Sequence, residues 1–406
     1  MRILYIARVL DDAGSYFVLQ GLFGALRRRG DVVEFLNLDA RGVQSVGTDG
    51  AAAGSSPARG PAPPAPGAPP KRPSLAQRLR RFFFELAPAT KILVWDGLRS
   101  IGPQLRAIRA FRPDLIVDRD NWVTVLLARW KKIPCVSHWD GLFEAEAEYG
   151  RKKSWDFALM LPLARAVLRR FGKLFAVVTP AVRDHHVGLG FSPDRFTVLD
   201  NGVDVERFRP EVARHPVGDS LGGKVVVGFV GSFRPWHRVD EFLGAIPPIV
   251  RAHPEVVFLF VGSGPEYAKV EALAADPACA GHVRLLGRLP HEEIPSVVAC
   301  FDVGVLPFTT YSCSPLKVYE YMALGKATVA PAYDSVQRVV EDGRDGLTFR
   351  PDDGADLRRV LLRLIEDAPL RRALGEAARR KMVERFTWDH CAQRFRDACV
   401  AAGARA

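Results

Sequence analysis

Short apolar runs alternate with polar or glycine-containing turns along the first half of the chain. RILYIA (2–7) and VVEFLNL (32–38) have the continuous apolar character of buried strands, and an amphipathic helical pattern covers about 16–28 between them. The same style continues in RPDLIVDRD (112–120), KIPCVSHWD (132–140), AVVTPAVRDHHVGLGF (176–191) and DRFTVLDNGVD (194–204). Strands that alternate with helices in this way predict a parallel sheet.

The pattern starts again in the second half. Further strand-like runs are LGGKVVVGFVGS (221–232), VVFLFVGSGP (256–265), HVRLLGRLP (282–290), DVGVLPF (302–308) and ATVAP (327–331). LKVYEYMALG is a helical segment that Gly325 would end, and three more helices follow. The predicted fold class is therefore α/β, with two doubly wound Rossmann-like domains that face each other across a cleft and bind ligands beyond the carboxyl ends of their strands.

The predicted boundaries follow from the same pattern. An N-terminal domain covers 1–205, a C-terminal domain covers 206–385, and a last helix at 386–406 crosses back to the N-terminal domain. A flexible low-complexity insertion is expected at 43–73, because 18 of the 21 residues from 50 to 70 are Ala, Pro or Gly. From about residue 75, SLAQRLRRFFFELA is a basic amphipathic helix whose phenylalanines either pack into the core, which we favour, or lie on a membrane surface.

The composition is that of an ordinary soluble chain of 406 residues, with 48% apolar and 25% charged residues. No run approaches the roughly 18 consecutive apolar residues that a membrane span needs, and MRILYIA does not have the pattern of a secretory signal. Six cysteines without a CxxC pair indicate reduced thiols. We therefore exclude an integral membrane protein, a collagen and a disordered chain, and we predict a cytoplasmic location.

The positive charge is concentrated in one part of the chain. Lys and Arg total 57 against 46 Asp and Glu, a net charge of +11, and residues 71–175 contain 21 basic and 10 acidic residues, which is also +11. A positive face attracts phospholipid surfaces, pyrophosphate groups or nucleic acid. The alternative is an ordinary solvated surface in an arginine-rich chain.

Two segments combine a helix start with basic side chains. In GFVGSFRPWHRVD (228–240), Arg234 and His237 lie in the loop after Gly231-Ser232, just before a predicted helix. Backbone N–H groups at a helix start and two basic side chains suit a diphosphate. Many strand–helix turns contain a glycine and an arginine, so this segment alone does not identify a ligand.

The second segment is SCSPLKVYEYMALG (312–325). Ser312 and Ser314 can cap the helix, and Pro315 suits its first position. Lys317 in the first turn opposes the helix dipole, so it makes most sense beside an anion. Glu320, one turn deeper, can accept two hydrogen bonds from a ribose diol. The alternative is an exposed Lys317–Glu320 pair of ordinary helical spacing.

These segments resemble the retaining GT-B glycosyltransferases of glycosyltransferase family 4. The similarity lies in five stretches that cover about half of the chain: 194–210, 228–243, 258–273, 282–308 and 314–331. The first half matches more loosely, as acceptor domains of that family do. The resemblance implies a nucleotide-sugar donor held by the C-terminal domain and an acceptor-binding N-terminal domain. It implies no metal and no cofactor beyond the nucleoside diphosphate sugar.

The resemblance also assigns residues around the donor. The family often carries two glutamates with seven residues between them; the second corresponds to Glu320, expected at the ribose, and the first falls on Ser312. The donor sugar is therefore expected near Ser312 and Ser314, without the usual carboxylate. This departure leaves the identity of the sugar open.

For the diphosphate, the family's Arg and Lys fall on Ser232 and His237. We expect the phosphates to be bound by the side chains of Ser232, Arg234, His237 and Lys317 and by N–H groups around Leu316.

In the first half, His138 of SHWDG resembles the histidine at the family's reaction centre, where it can bind hydroxyls or move a proton. Together with His237 and Lys317 it makes up the expected catalytic set. Gly14, in the loop after the first strand, resembles part of the family's glycine-rich phosphate loop. Asp118-Arg119-Asp120 spells a DxD motif, but short DxD matches are frequent by chance, and we predict no metal site.

The expected function is transfer of a sugar from a nucleoside diphosphate sugar to an acceptor hydroxyl, with retained anomeric configuration. The expected partners are the donor, a glycan or lipid-linked acceptor and an anionic membrane surface, and not nucleic acid, for which no matching module is present. One alternative is an epimerase or phosphorylase of the same fold. The other is a non-catalytic nucleotide-sugar-binding or scaffold protein.

Overall fold

A computed structural model describes residues 1–7, 14–38, 44–46, 95–119, 121–142, 155–235 and 238–404. Within these residues the chain builds two open sheets, each with helices on both faces. The insertion predicted at 43–73, except for residues 44–46, lies outside the described residues. The amphipathic helix expected from about residue 75, Asp120 and His237 lie outside them as well.

The N-terminal half contains a seven-stranded sheet in the order β3-β2-β1-β4-β5-β6-β7. Every neighbouring pair is parallel except β2–β3, which is antiparallel. The strands are β1 (Arg2–Ala7), β2 (Val32–Asn37), β3 (Gln44–Val46), β4 (Leu115–Asp118), β5 (Cys135–Trp139), β6 (Leu174–Val177) and β7 (Phe196–Val198).

Helices cover this sheet on both faces, so its central strands are apolar on both sides. Thr179 caps the helix Pro180–Gly188 by accepting a hydrogen bond from the N–H of Val182, and Pro180 occupies the first helical position. The helices are α1 (Gly14–Arg28), α2 (Asp96–Arg99), α3 (Ile101–Phe111), α4 (Trp122–Trp130), α5 (Trp155–Phe171) and α6 (Pro180–Gly188).

The C-terminal half contains a six-stranded, all-parallel sheet in the order β10-β9-β8-β11-β12-β13. Its strands are β8 (Val225–Val230), β9 (Val256–Val261), β10 (Val283–Leu285), β11 (Val303–Val305), β12 (Ala327–Pro331) and β13 (Leu347–Phe349). A cluster of buried phenylalanines, including Phe229, Phe258 and Phe260, fills the core on one face of this sheet.

The helices of this half are α7 (Val239–Ala252), α8 (Tyr267–Ala275), α9 (Ile294–Val298), α10 (Leu316–Ala323), α11 (Asp334–Gln337), α12 (Gly354–Glu366), α13 (Ala368–Arg385) and α14 (Trp388–Ala401). Short 3₁₀ turns lie at Pro193–Arg195, Pro216–Leu221, Pro277–Cys279 and His291–Glu293. Among the described residues, no helix combines the length and the apolarity that crossing a bilayer requires.

The last helix, α14, packs on α1 of the first sheet's layer. The indole of Trp388 lies directly against Gly21, where a Cβ atom would come within 2.2 Å of the ring. Phe395 of the same helix joins the core cluster that contains Tyr5 of β1. The C-terminal segment is therefore part of the N-terminal core.

The structure confirms the α/β class and the two doubly wound sheets. It also confirms that Gly325 ends α10, because Gly325 has φ +67° and its N–H donates to the carbonyl of Met322 over 3.0 Å. Three local expectations were wrong. Gly14 is the first residue of α1 and not part of the preceding loop, β3 occupies the start of the insertion predicted at 43–73, and the sequence pattern missed the short elements β13 and α11.

Candidate functional site

The first turn of α10 lies at the carboxyl end of the second sheet and faces the other half of the molecule. Pro315 precedes the helix as its N-cap residue, and no side chain caps it. Leu316, the first helical residue, packs on the apolar cluster of the first half that contains Tyr5. The contact brings the start of α10 to the junction between the two halves.

The predicted capping by Ser312 and Ser314 is wrong because both residues have other partners. The hydroxyl of Ser314 lies 3.1 Å from the Tyr319 hydroxyl and accepts from Nδ2 of Asn201 over 3.2 Å. Ser312 is buried, and its carbonyl accepts a hydrogen bond from the Thr179 hydroxyl over 3.1 Å. Thr179 and Asn201 belong to the first half, so these bonds fix the loop before α10 against that half.

Lys317 is half-buried between α10 and the end of β8. Its ammonium lies 4.4 Å from the centroid of the Phe229 ring, a cation–π contact. A Cβ atom on Gly231, which has φ +149°, would lie 2.6 Å from the ammonium, so this glycine leaves the room that the lysine head occupies. Burial lowers the pKa of Lys317 to about 8, and the neighbouring Glu320 acts in the opposite direction.

The loop after β8 carries the other predicted phosphate ligands. Ser232 and Arg234 are exposed there, and His237 lies outside the described residues. The loop is tied to the one after β9, since the N–H of Phe233 donates to the carbonyl of Ser263 over 3.0 Å. The exposed side chains of Ser232 and Arg234 therefore lie on a loop that a backbone hydrogen bond holds in place. The loop begins at Gly231, next to the Lys317 ammonium.

Glu320 lies one turn deeper on α10 and opens onto a cavity of about 570 Å³ between the two halves. Its Oε1 lies 3.0 Å from Nε2 of His291, with which it forms an ion pair if the histidine is protonated. The His291 ring stacks on Phe17 of α1 at a centroid distance of 3.9 Å. The cavity is thus walled by α1 on one side and by α10 and His291 on the other.

His138 stands at the end of β5 and is buried. Its Nδ1 lies 2.7 Å from the hydroxyl of Tyr5, and its Nε2 lies 4.0 Å from Oδ1 of Asp140, which in turn is paired with Arg119. Burial lowers the pKa of His138, Asp140 raises it and Arg119 lowers it. The net direction is downward, so His138 is neutral at pH 7 and can accept a proton.

The remaining predicted groups have simpler surroundings. Gly14 begins α1, the helix that follows the central strand β1, so backbone N–H groups of a helix start lie at this residue. Asp118 is fully buried, and its carboxylate accepts from the Ser137 hydroxyl and from the N–H of Asn121. In the described part of the chain, no three His, Cys, Asp or Glu side chains lie together as a metal site would require.

Sequence reasoning missed Tyr5, Asp140, Phe17 and His291. Tyr5 reads as one more apolar residue of a buried strand. His291 lies in a short turn after β10, and its neighbours in the sequence do not indicate a contact with Glu320. The roles of these four residues depend on contacts between residues far apart in the chain, and local sequence patterns do not predict such contacts.

Comparison with known proteins decides the family. Residues 14–202 match the model of the glycosyl transferase 4-like domain, and residues 224–367 match that of glycosyl transferases group 1. The chain is a glycosyltransferase built from these two domains. The two matched regions coincide with the two sheets described above.

Several curated relatives of this glycosyltransferase are similar over about two thirds of their own length. The GDP-mannose-dependent alpha-(1-6)-phosphatidylinositol monomannoside mannosyltransferase of Mycolicibacterium smegmatis is 28% identical over 252 residues, which are 59% of this chain and 65% of the relative. The glycogen synthase of Mycobacterium tuberculosis is 26% identical over 305 residues, which are 73% of this chain and 70% of the relative.

Solved structures show the same GT-B fold over the whole chain. Anabaena HepE in complex with UDP has a TM-score of 0.70 at 16% identity, and the alignment covers 99% of this chain and 100% of HepE. The catalytic domain of Arabidopsis thaliana starch synthase IV, bound to ADP and acarbose, has a TM-score of 0.71 at 17% identity with both chains covered to 100%.

Proposed function

We propose that this glycosyltransferase, as a retaining family 4 enzyme, transfers a sugar from a nucleoside diphosphate sugar to an acceptor hydroxyl without a metal ion. The observation that carries the proposal is the start of α10. Its first turn holds the Lys317 ammonium beside the β8 loop, and its second turn holds the Glu320 carboxylate at the cavity between the halves. A diphosphate and the ribose attached to it need a cation and a carboxylate at such neighbouring points.

The diphosphate would lie against the start of α10. Lys317 and Arg234 would supply positive charge, Ser232 a hydroxyl and His237 a ring nitrogen that can donate a hydrogen bond. The N–H groups around Leu316 lie at the helix end where the dipole is positive. Negative charge grows on the diphosphate as the sugar departs. Cations already fixed at that place stabilise the transition state more than the ground state, which is what metal-independent transfer requires.

Glu320 would accept hydrogen bonds from the two ribose hydroxyls. Its bond from His291 engages Oε1 and holds the carboxylate in one orientation. Ser312 and Ser314 stand before α10, where the donor sugar would follow the phosphates. A serine in place of a carboxylate makes this part of the site neutral, and the sugar is then selected by neutral hydrogen bonds.

His138 would face the reacting sugar from the first half. In its neutral form it can hold a donor or acceptor hydroxyl and exchange a proton with it. The acceptor hydroxyl attacks from the side on which the diphosphate leaves, so configuration is retained and the leaving phosphate takes the proton. The alternative route through a covalent enzyme–sugar intermediate requires a carboxylate nucleophile beside the sugar. Ser312 stands at the position where the family often has a carboxylate.

The acceptor is proposed to be a glycan or a lipid-linked molecule presented at the cytoplasmic face of an anionic membrane. Two observations support this proposal. Relatives include a mannosyltransferase whose name gives a phosphatidylinositol mannoside as its substrate. The excess positive charge of this chain lies within residues 71–175, in the half expected to bind the acceptor.

The test is a thermal-shift screen against UDP, GDP, ADP and CMP sugars, followed by turnover with the stabilising donor and NMR of the product. Stabilisation by a nucleoside diphosphate sugar and a product of the donor's anomeric configuration would support the proposal. An inverted product would refute the retaining mechanism. Donor binding without release of nucleoside diphosphate would favour the non-catalytic alternative.

A further inference from the structure

Helix α5 turns an apolar stripe toward solvent. Ala158, Leu159, Pro162, Leu163 and Ala166 are exposed, and their spacing puts them on one side of the helix. Leu159 and Leu163 are 59% and 61% exposed. On the opposite side Ala164 and Leu168 are buried, so the helix packs on the core with one face and exposes a second apolar face.

Cations surround the carboxyl end of this stripe. Arg169 and Arg170 continue it along α5, and Lys173 follows just beyond the helix; all three are exposed. No Asp or Glu occurs between residues 158 and 173. The charged residues at the carboxyl end of the stripe, within 158–173, are therefore all basic.

The neighbouring helix α4 adds to the same surface. It packs along α5, and the guanidinium of its Arg129 lies 5.3 Å from the centroid of the Phe171 ring. Trp130, the last residue of α4, is 64% exposed, and the ammonium of Lys131 lies 4.0 Å from its ring centroid. No acidic residue occurs between 121 and 132 either.

We propose that this outer face of α4 and α5 is the surface by which the enzyme binds an anionic phospholipid membrane. The proposal rests on the proposed function, since it gives the membrane contact a place on the molecule. The leucines would enter the boundary between headgroups and acyl chains, Trp130 would lie at headgroup level, and the basic cluster would meet the lipid phosphates.

The combination of groups favours a lipid surface over other partners. Nucleic acid would use the cations and leave an exposed leucine stripe without a role. A second copy of the chain would use the stripe and bring two basic clusters together, which is repulsive. A membrane with anionic lipid is complementary to both parts at once.

The experiment is flotation of the purified full-length protein with vesicles of phosphatidylcholine alone or with about a third phosphatidylglycerol. The wild type should float with the anionic vesicles only, and salt should release it, because surface charge is screened at high ionic strength. Leu159→Ser/Leu163→Ser should weaken anionic-vesicle binding roughly tenfold or more. Arg170→Ser/Lys173→Ser should weaken it by roughly 30-fold.

Matched controls come from helices other than α4 and α5. Val383→Ser/Val400→Ser removes two exposed apolar residues, one on α13 and one on α14, and Arg358→Ser/Arg363→Ser removes two exposed cations of α12. Both controls should bind vesicles like the wild type. All of these positions are exposed, so the variants should melt at the wild-type temperature.

The proposal would be overturned if the wild-type protein does not bind anionic vesicles. It would also be overturned if Leu159→Ser/Leu163→Ser and Arg170→Ser/Lys173→Ser float with the vesicles as well as the control variants do. Light scattering that shows a dimer lost only in Leu159→Ser/Leu163→Ser, without vesicle binding, would assign the stripe to a second copy. Duplex RNA binding lost only in Arg170→Ser/Lys173→Ser would assign the basic cluster to nucleic acid. Calorimetry with UDP and GDP distinguishes failure of the membrane surface from failure of the proposed function. Wild-type protein that binds nucleotide but not vesicles rejects the membrane surface alone. Wild-type protein that binds neither nucleotide rejects the proposed function.

Discussion

Replacing Lys317 by methionine separates a binding role from a structural one, because the two roles predict changes of opposite sign. Methionine keeps the length and apolar stem of the side chain and removes the ammonium. Burial lowers the pKa of Lys317 from its ordinary 10.5 to about 8. The folded protein without ligand therefore holds this charge at a cost.

That cost can be bounded. Each pKa unit corresponds to about 1.4 kcal/mol, so the displacement amounts to at most on the order of 3 kcal/mol at neutral pH, less because the side chain is only half-buried. The unfolded chain binds more protons than the folded one between pH 8 and 10.5, so this residue makes the wild type more stable as pH rises through that window. Lys317→Met should lose this pH dependence and melt at or above the wild-type temperature near pH 7.

Nucleotide binding should change in the other direction. A hydrogen bond between a cation and a phosphate oxygen contributes about 1.5–3 kcal/mol, so the variant should bind UDP or GDP about 10- to 150-fold more weakly. In the wild type the affinity should decline as pH rises above about 8, where the ammonium loses its proton. Isothermal titration calorimetry at several pH values measures both effects.

Lys326 provides a matched control. It is also a half-buried lysine of the C-terminal half whose pKa is lowered by burial, but its ammonium donates to the carbonyl of Ala299 over 2.8 Å. Lys326→Met should lower the melting temperature and leave nucleotide affinity unchanged. A Lys317→Met protein that melts lower than the wild type and binds nucleotide as tightly would refute the reasoning.

Three further outcomes are expected. Glu320→Gln should weaken binding of ribonucleoside diphosphates about tenfold and bind the 2′-deoxy analogue as the wild type does, which calorimetry will show; equal losses for both nucleotides would contradict ribose recognition. Tyr5→Phe should lower kcat about tenfold with little change in donor KM, because Tyr5 orients His138 without facing the donor; unchanged kcat would contradict that role. Since the pKa of His138 is lowered, activity that needs its neutral form should persist at pH values below 6.5, and a pH–rate profile that falls already above 6.5 would argue against His138.

The sequence predicted what short segments determine by themselves. The strand β1, the helix α10 and its end at Gly325 follow from local apolar patterns and glycine. The position of Lys317 and Glu320 on α10 followed from helical spacing, and the cleft followed from the rule that ligands lie beyond the carboxyl ends of parallel strands.

The sequence could not predict contacts between distant segments. Tyr5 and His138 are 133 positions apart in the chain, and Glu320 and His291 are separated by 29. Ser314 looked like a cap, because nothing in its neighbourhood reveals that Asn201 and Tyr319 would engage its hydroxyl. The first two pairs form when their own half of the molecule folds, and the bond between Asn201 and Ser314 forms only when the two halves meet.

The decisive measurement is release of nucleoside diphosphate from a panel of nucleoside diphosphate sugars, with wild-type protein and with Lys317→Met. We expect release with at least one donor, stimulated by an acceptor, and a fall of about tenfold or more in kcat/KM for the variant. Wild-type protein that binds the donors and never releases nucleoside diphosphate, or equal turnover by the two proteins, would contradict this expectation.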